Sequence, residues 1–181
     1  MTYLEERSFL LAAELENQNP VVVRDALEAD LPEILDIYND AVLNSTATFE
    51  LSLQTVQTRM EWFRGHGTDY PLLVAVSEGR LLGYCSLSKF QSNSGYRRTA
   101  ELSVYVEKTR RRRGIATVLM KSILERAKNQ GFHAIISSIS MDNLPSVILH
   151  ERFGFIKVAH LKEVGYKFSK WHDTCYFELI L

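Results

Sequence analysis

Four consecutive arginines, Arg110 to Arg113, run directly into Gly114-Ile115-Ala116. Ahead of them, Val104-Tyr105-Val106 has the β-branched and aromatic character of a strand. Behind them, Ile115 to Asn129 repeats apolar residues at helical spacing. A helix that starts just after such a loop presents unpaired backbone N–H groups and the positive end of its macrodipole, which suits a phosphate. Gly114 lets the backbone approach a ligand closely, Ala116 keeps the first turn uncrowded, and the arginines add charge-assisted hydrogen bonds. The pattern predicts a pyrophosphate cradle. It is neither a GxxxxGK(S/T) P-loop nor the GxGxxG fingerprint of dinucleotide sites. Alone, the arginine run would read as a solvated basic loop or a nucleic-acid patch. The order strand, arginines, small residues, long amphipathic helix favours the cradle.

The elements that must position this loop follow from periodicity and breakers. Residues 3–17 read as a short helical appendage closed by Gln18-Asn19-Pro20, so the chain divides into 1–20 and one domain over 21–181. Val21-Val22-Val23 begins a strand. Asp30, Pro32 and Glu33 predict a capped helix through Val42. Ser52 is the expected cap of a second helix ending at Arg64. Leu72–Val76 and Leu81–Phe90 flank a turn at Glu78-Gly79-Arg80 and read as a hairpin. Arg98–Val106 is a further strand. Ile115–Asn129 is a helix burying Ile115, Val118, Leu119, Ile123, Leu124 and Ala127, stopped by Gly131. Ala134–Ile139, a helix over Leu144–Phe153, then Phe155–Leu161 and Cys175–Leu181 complete the order β-α-α-β-β-β-α-β-α-β-β. That alternation predicts an α/β (α+β) domain with one mixed sheet.

Composition bounds the function. The 181 residues are 46% hydrophobic and 24% charged with nine Gly and four Pro, which excludes collagen-like and wholly disordered classes. With 21 basic against 22 acidic residues, no global field draws the chain to nucleic acid or to an anionic membrane. Cys85 and Cys175 stand far apart without CxxC spacing, so two reduced core thiols and no metal site are expected. No stretch approaches the roughly 20 continuous apolar residues of a membrane span. Acidic Glu5, Glu6, Glu14 and Glu16, without a basic leading region, make residues 1–20 a poor signal peptide. A cytoplasmic protein is the expectation.

Arg111-x-x-Gly114-x-Ala116 resembles the Q/R-x-x-G-x-G/A motif of the GNAT N-acetyltransferases. Asn143-Leu-Pro-Ser146 through His150 to Phe153-Gly154-Phe155 is similar to that family's second signature. Thr99 to Val106, Gly165 to Asp173, Ile37-Tyr38-Asn39 and Ser45 to Phe49 resemble its phosphinothricin acetyltransferase branch, and the likeness covers roughly Val21 to Leu181. The resemblance implies a GNAT fold, a mixed twisted sheet flanked by helices whose splayed strand pair binds acetyl-CoA. By it, Val104, Tyr105 and Val106 hold the pantetheine arm and thioester. Arg111, Arg112, Arg113, Gly114, Ile115 and Ala116 hold the pyrophosphate, and Asn143 contacts the coenzyme further along. Ser94, Gly95, Tyr96 and Arg97 stand where the branch contacts its amino-acid-like substrate.

Amine attack on a thioester needs a neutral amine, and amines are largely protonated at neutral pH. A carboxylate in a partly dry cleft can take that proton. Glu101, three residues before Val104 and matching the family's glutamate, is the candidate general base. His150 stands where many family members carry Tyr. It reads as a satisfied helix histidine rather than an acid, and Tyr105 serves equally well as acid or as packing. Phe49, Trp62, Tyr70, Trp171 and His172 could wall the acceptor pocket or belong to the core. The expected acceptor is a small amino-acid-like amine of the phosphinothricin or methionine sulfoximine type, acetylated by direct attack, in a homodimer. Alternatives are another amine (a protein N-terminus, polyamine or aminoglycoside), a non-catalytic coenzyme A sensor, and, least favoured, a nucleic-acid binder.

Overall fold

A computed structural model describes residues 20–181. The helix expected over 3–17 lies outside the described residues. Seven strands form one sheet in the order β1-β2-β3-β4-β5-β7-β6: β1 Val22–Asp25, β2 Leu72–Ser77, β3 Arg80–Lys89, β4 Thr99–Val106, β5 Ala134–Ser140, β6 Ile156–Lys167 and β7 Lys170–Ile180. Helices α1 (Leu31–Asn44) and α2 (Val56–Arg64) follow β1, α3 (Ile115–Asn129) links β4 to β5, and α4 (Leu144–Arg152) precedes β6. Every strand pair is antiparallel except β4 with β5. A parallel pair needs a crossover, and α3 supplies it.

Alternation within the strands divides the core into two layers. Leu73, Ala75, Cys85, Leu87, Ala100 and Leu102 face α3 and its buried Leu119, Met120, Ile123 and Ala127. Leu72, Val74, Leu81 and Tyr84 face α1 through Ile34 and Ile37, with Trp62 and Phe63 of α2 packed on them. Cys85 and Cys175 are buried free thiols within the first layer.

Several local expectations are corrected. Asp30 does not cap α1: its carboxylate accepts the Leu27 N–H at 2.7 Å and pairs with Arg24 at 2.6 and 2.8 Å. Glu33 instead accepts the Leu81 N–H at 2.9 Å, tying α1 to the β2–β3 turn. Thr55, not Ser52, caps α2, its hydroxyl accepting the Thr58 N–H at 3.2 Å. Val118 is 39% exposed, so the buried stripe of α3 is narrower than its apolar residues suggest. The last two strands run well past their apolar segments. They meet in a two-residue turn, Phe168-Ser169, with both residues at left-handed φ of 52° and 60°. Hairpins favour that geometry, but Gly and Asn usually announce it.

Candidate active site

β4 and β5 pair only over Thr99–Ala134, Ala100–Ile135 and Glu101–Ile136. β3 stays paired with β4 as far as Gly83–Val106. From Leu102 onward, therefore, one edge of β4 has no strand beside it. The Glu107 N–H bonds the Leu82 carbonyl at 2.9 Å, which sets the alternation: Tyr105 and Ser103 turn their backbone groups toward β3, and Val104 and Val106 turn theirs into the gap. Leu102, first past the last rung, has its carbonyl bonded by the Ser137 hydroxyl at 3.3 Å, while Arg111 Nε donates to the Val106 carbonyl at 3.4 Å. The resulting cleft is walled by Leu102 to Tyr105, by Ser137 to Ser140 of β5, by Asn143, Ser146 and His150 of α4 and its cap, and by Ala47. On the other side of β4, Gly83 lets β3 lie close against it, since a Cβ there would lie 2.6 Å from the Tyr105 carbonyl oxygen.

At one end of the cleft lies the arginine loop. A 3-10 turn over Lys108–Arg110 leads to Arg112 at φ 60° and to Gly114 at φ 79°. Gly114 stands at the N-cap position of α3 with no side chain capping the helix, so the first-turn amides are left for a ligand. Buried Ile115 anchors that turn in the core. Arg112 and Arg113 are exposed. Arg111 and Lys108 both lie 3.5 Å from Asp40 of α1, a carboxylate that holds the loop against the body. The donor set fits a diphosphate: open helix-end amides, a left-handed glycine and four guanidinium groups.

Glu101 occupies the last rung before the strands part and shares its face of the sheet with Ser103 and Tyr105. Burial raises its pKa above the ordinary glutamate value. Tyr105 donates its hydroxyl to the Ala47 carbonyl at 3.3 Å, stacks on Tyr84 at 5.2 Å and meets the Tyr38 ring edge-on at 5.5 Å. Burial also pushes its phenol well up. His150 is only half satisfied. Its Nδ1 faces the Ser146 carbonyl at 2.8 Å and must donate there, which leaves Nε2 buried without a partner at the cleft wall. Burial lowers its pKa, and this tautomer offers a lone pair rather than a proton.

Not every expected residue converges. Ser94 to Arg97 are exposed at the opposite end of β4, and Arg97 borders a separate hollow with Thr68, Tyr70 and Gln130. Trp62 packs between His66 and Tyr84, and Tyr70 packs on Phe132. Trp171 is 58% exposed beside Tyr166. Buried His172 is engaged at both ring nitrogens, by Asp142 at 2.6 Å and by the Lys167 carbonyl at 2.9 Å. Phe49 is tilted against His172 and wedged at Gly165. Lys167, which sequence reasoning missed, bonds the Ser45 and Thr48 carbonyls at 2.7 and 2.8 Å and so fixes the loop carrying Ala47. Asp40 and Gly83 were also missed. Their only signals were a lone acid on a helix and a lone glycine in a strand. Among the described residues no helix is long and apolar enough to cross a membrane, and no cluster of metal-ligating side chains occurs.

A sequence profile of the acetyltransferase (GNAT) domain matches residues 23–176. The chain is similar to the L-methionine sulfoximine/L-methionine sulfone acetyltransferase of Pseudomonas paraeruginosa, 40% identical over 161 residues, covering 88% of this chain and 94% of that protein. Its fold is similar to the crystal structure of a GNAT superfamily phosphinothricin acetyltransferase from Sinorhizobium meliloti in complex with AcCoA. There the TM-score is 0.85 and the identity 32%, over 89% of this chain and 88% of that one. A third likeness is to a ribosomal-protein-alanine N-acetyltransferase from Brucella melitensis, with TM-score 0.85 and 39% identity over 88% and 99% of the two chains.

Proposed function

The chain belongs to the GNAT acetyltransferase family, and from that premise we propose that it moves the acetyl group of acetyl-CoA to the primary amine of a small amino-acid-like acceptor. One observation carries the reading. The sheet opens directly beyond Glu101, between a carboxylate of raised pKa and a helix end rich in cation and amide donors. Acetyl-CoA would supply a thioester-activated acyl group and a thiol leaving group. The α3 amides with Arg111 to Arg113 would hold its diphosphate, and Asn143, whose side chain makes no capping bond, would contact the arm. The Val104 N–H, aimed into the gap, would bond the thioester oxygen and stabilise charge developing on it. Glu101, directly or through one water, would take the proton that the amine loses as the N–C bond forms and the C–S bond breaks. Neither cysteine lines the cleft, which supports direct attack without an acyl-enzyme. Ser94 to Arg97 are proposed as an outer rim for the acceptor.

The names of the similar proteins support an acceptor of the methionine sulfoximine or phosphinothricin type. The likeness to a ribosomal-protein-alanine enzyme favours a second reading, a protein N-terminal amine. We further propose a cytoplasmic homodimer. β6 is the outer strand of the sheet, and Ile156, Val158, Val164 and Tyr166 along it are exposed. The deciding experiment presents acetyl-CoA with a panel of amino acids, peptides, polyamines and aminoglycosides, following thiol release and product mass. Acetylated methionine sulfoximine or phosphinothricin is expected. Transfer only to peptides would install the second reading, and no transfer to any amine would leave a coenzyme sensor.

A further inference from the structure

Two buried side chains near the tip of the β6–β7 hairpin, Lys167 at 4% exposed and His172 at 3%, stand behind the cleft without lining it. The Lys167 ammonium donates to the Ser45 and Thr48 carbonyls at 2.7 and 2.8 Å and to the Ala41 carbonyl at 3.5 Å. Its three N–H groups are thus matched by three backbone oxygens. His172 sits between two groups that only accept. Its Nδ1 is 2.6 Å from Asp142 Oδ2, and its Nε2 is 2.9 Å from the Lys167 carbonyl oxygen. A carbonyl has no proton to give. Lys170, 3.0 Å from the Asp142 carboxylate, and His172 itself hold that carboxyl below the ordinary aspartate range, so it is ionised. Both ring nitrogens therefore donate, and the ring is an imidazolium in this arrangement. The charged groups around it are Asp142 from the β5–α4 turn, Lys170 on its own strand and Lys167 on β6, and the Phe49 ring lies 5.7 Å away.

These bonds make one continuous strut, from Asp142 through His172 and Lys167 to Ser45 and Thr48. Both ends belong to the cleft. Asp142 precedes Asn143, and its N–H bonds the Ser140 hydroxyl at 3.4 Å; Asn143 and Ser140 line the wall there. Ala47, between Ser45 and Thr48, lines another part of the wall and accepts the Tyr105 hydroxyl at 3.3 Å. Neither Asp142 nor the 45–48 segment lies in a helix or strand, so ladder bonds fix neither end. We propose that Lys167 and His172 are positioning residues that hold these two parts of the cleft wall in fixed relation, with His172 acting as an imidazolium. A neutral ring would turn a lone pair on one of its two oxygen partners and open the strut. The inference rests on the acetyl-transfer reading for its effect on rate. Amine and thioester react only when held at attack distance, and a wall displaced by about 1 Å costs up to about 100-fold.

The test measures amide hydrogen exchange and transfer kinetics on the full chain for the wild type, Lys167→Met, Lys167→Arg, His172→Asn and the double variant Lys167→Met with His172→Asn. His172→Asn removes no hydrogen bond from the 45–48 segment, yet it should speed exchange there as Lys167→Met does. Each of these two should lower kcat/KM about 10- to 100-fold, and Lys167→Arg should recover part of the loss. Because both residues act through one strut, the double variant should lose no more than the worse single one. Losses that multiply would make the two roles independent and overturn the proposal, as would a lower melting temperature with unchanged kcat/KM. Nitrogen NMR of the wild-type His172 ring needs no variant. It should show two protonated nitrogens at neutral pH, and one bare nitrogen would overturn the imidazolium. A wild type inactive toward every amine, with two ring protons and loop exchange that follows His172, would keep the strut and remove the transfer reading. An active wild type whose loop exchange ignores His172 would do the reverse.

Discussion

Glu101 is the general base of the proposed reaction, and its surroundings would set the pH at which it works. Burial favours the protonated form and raises the pKa above that of a solvated glutamate. A base must be ionised, so kcat should climb with pH through that raised value and level off above it. Glu101→Gln keeps shape and burial but cannot accept the proton. The variant should lose about 100- to 10,000-fold in kcat, lose the acidic limb of the profile, and keep a near-normal KM for acetyl-CoA. Steady-state rates across pH decide it, and an unchanged profile would remove Glu101 from the mechanism. At this scale the sequence was legible where residues sit on a continuous motif: Glu101, Val104 to Val106 and Arg111 to Ala116 all lie within one strand-loop-helix passage. Asp40 and Lys167 come from distant elements, and the sequence around each does not say which groups lie against it across the fold.

Among the elements, α3 is the one proposed to hold the coenzyme's diphosphate, on the ground of its bare N-terminus. Gly114 at φ 79° stands at the N-cap position with no side chain capping the helix, and Arg110 to Arg113 immediately precede it in the chain. Arg111→Ala with Arg113→Ala should raise the KM for acetyl-CoA about 10- to 100-fold, with a shallower dependence on ionic strength than the wild type shows. Gly114→Val would force a branched side chain into a left-handed conformation, a cost of about 1–2 kcal/mol that should likewise fall on acetyl-CoA binding. Titrations of the coenzyme at two salt concentrations check both, and unaltered affinity would make the loop ordinary surface. Element types and order were readable because α3 and β2 to β5 have strong periodicity. Termini were read less well. Asp30 is diverted by Arg24, Thr55 outcompetes Ser52, and the β6–β7 hairpin closes on Phe168-Ser169 without glycine.

For the whole molecule, the β6–β7 hairpin would link the proposed dimer to the cleft. Its inner side is tied to the cleft: Lys167 holds the Ser45 and Thr48 carbonyls, Phe49 is wedged at Gly165, and Ala47 between them lines the wall. Its outer strand is exposed and mixed, with Ile156 63%, Val164 54% and Tyr166 50% exposed among Lys157, His160, Lys162 and Glu163. An edge strand of this kind invites pairing or packing with another chain unless it is covered. Two copies meeting there would cover it and stiffen the hairpin that props the Ser45–Thr48 loop at the cleft wall. Light scattering behind size exclusion should then give about twice the 20.8 kDa chain mass. Val158→Asp with Val164→Asp should give the single-chain mass. Because the arginine loop lies on another element, that variant should bind acetyl-CoA as before while its KM for the acceptor rises several-fold. A wild-type protein that runs as one chain at every concentration would sink the dimer. A monomeric variant with unaltered acceptor KM would instead detach assembly from the site.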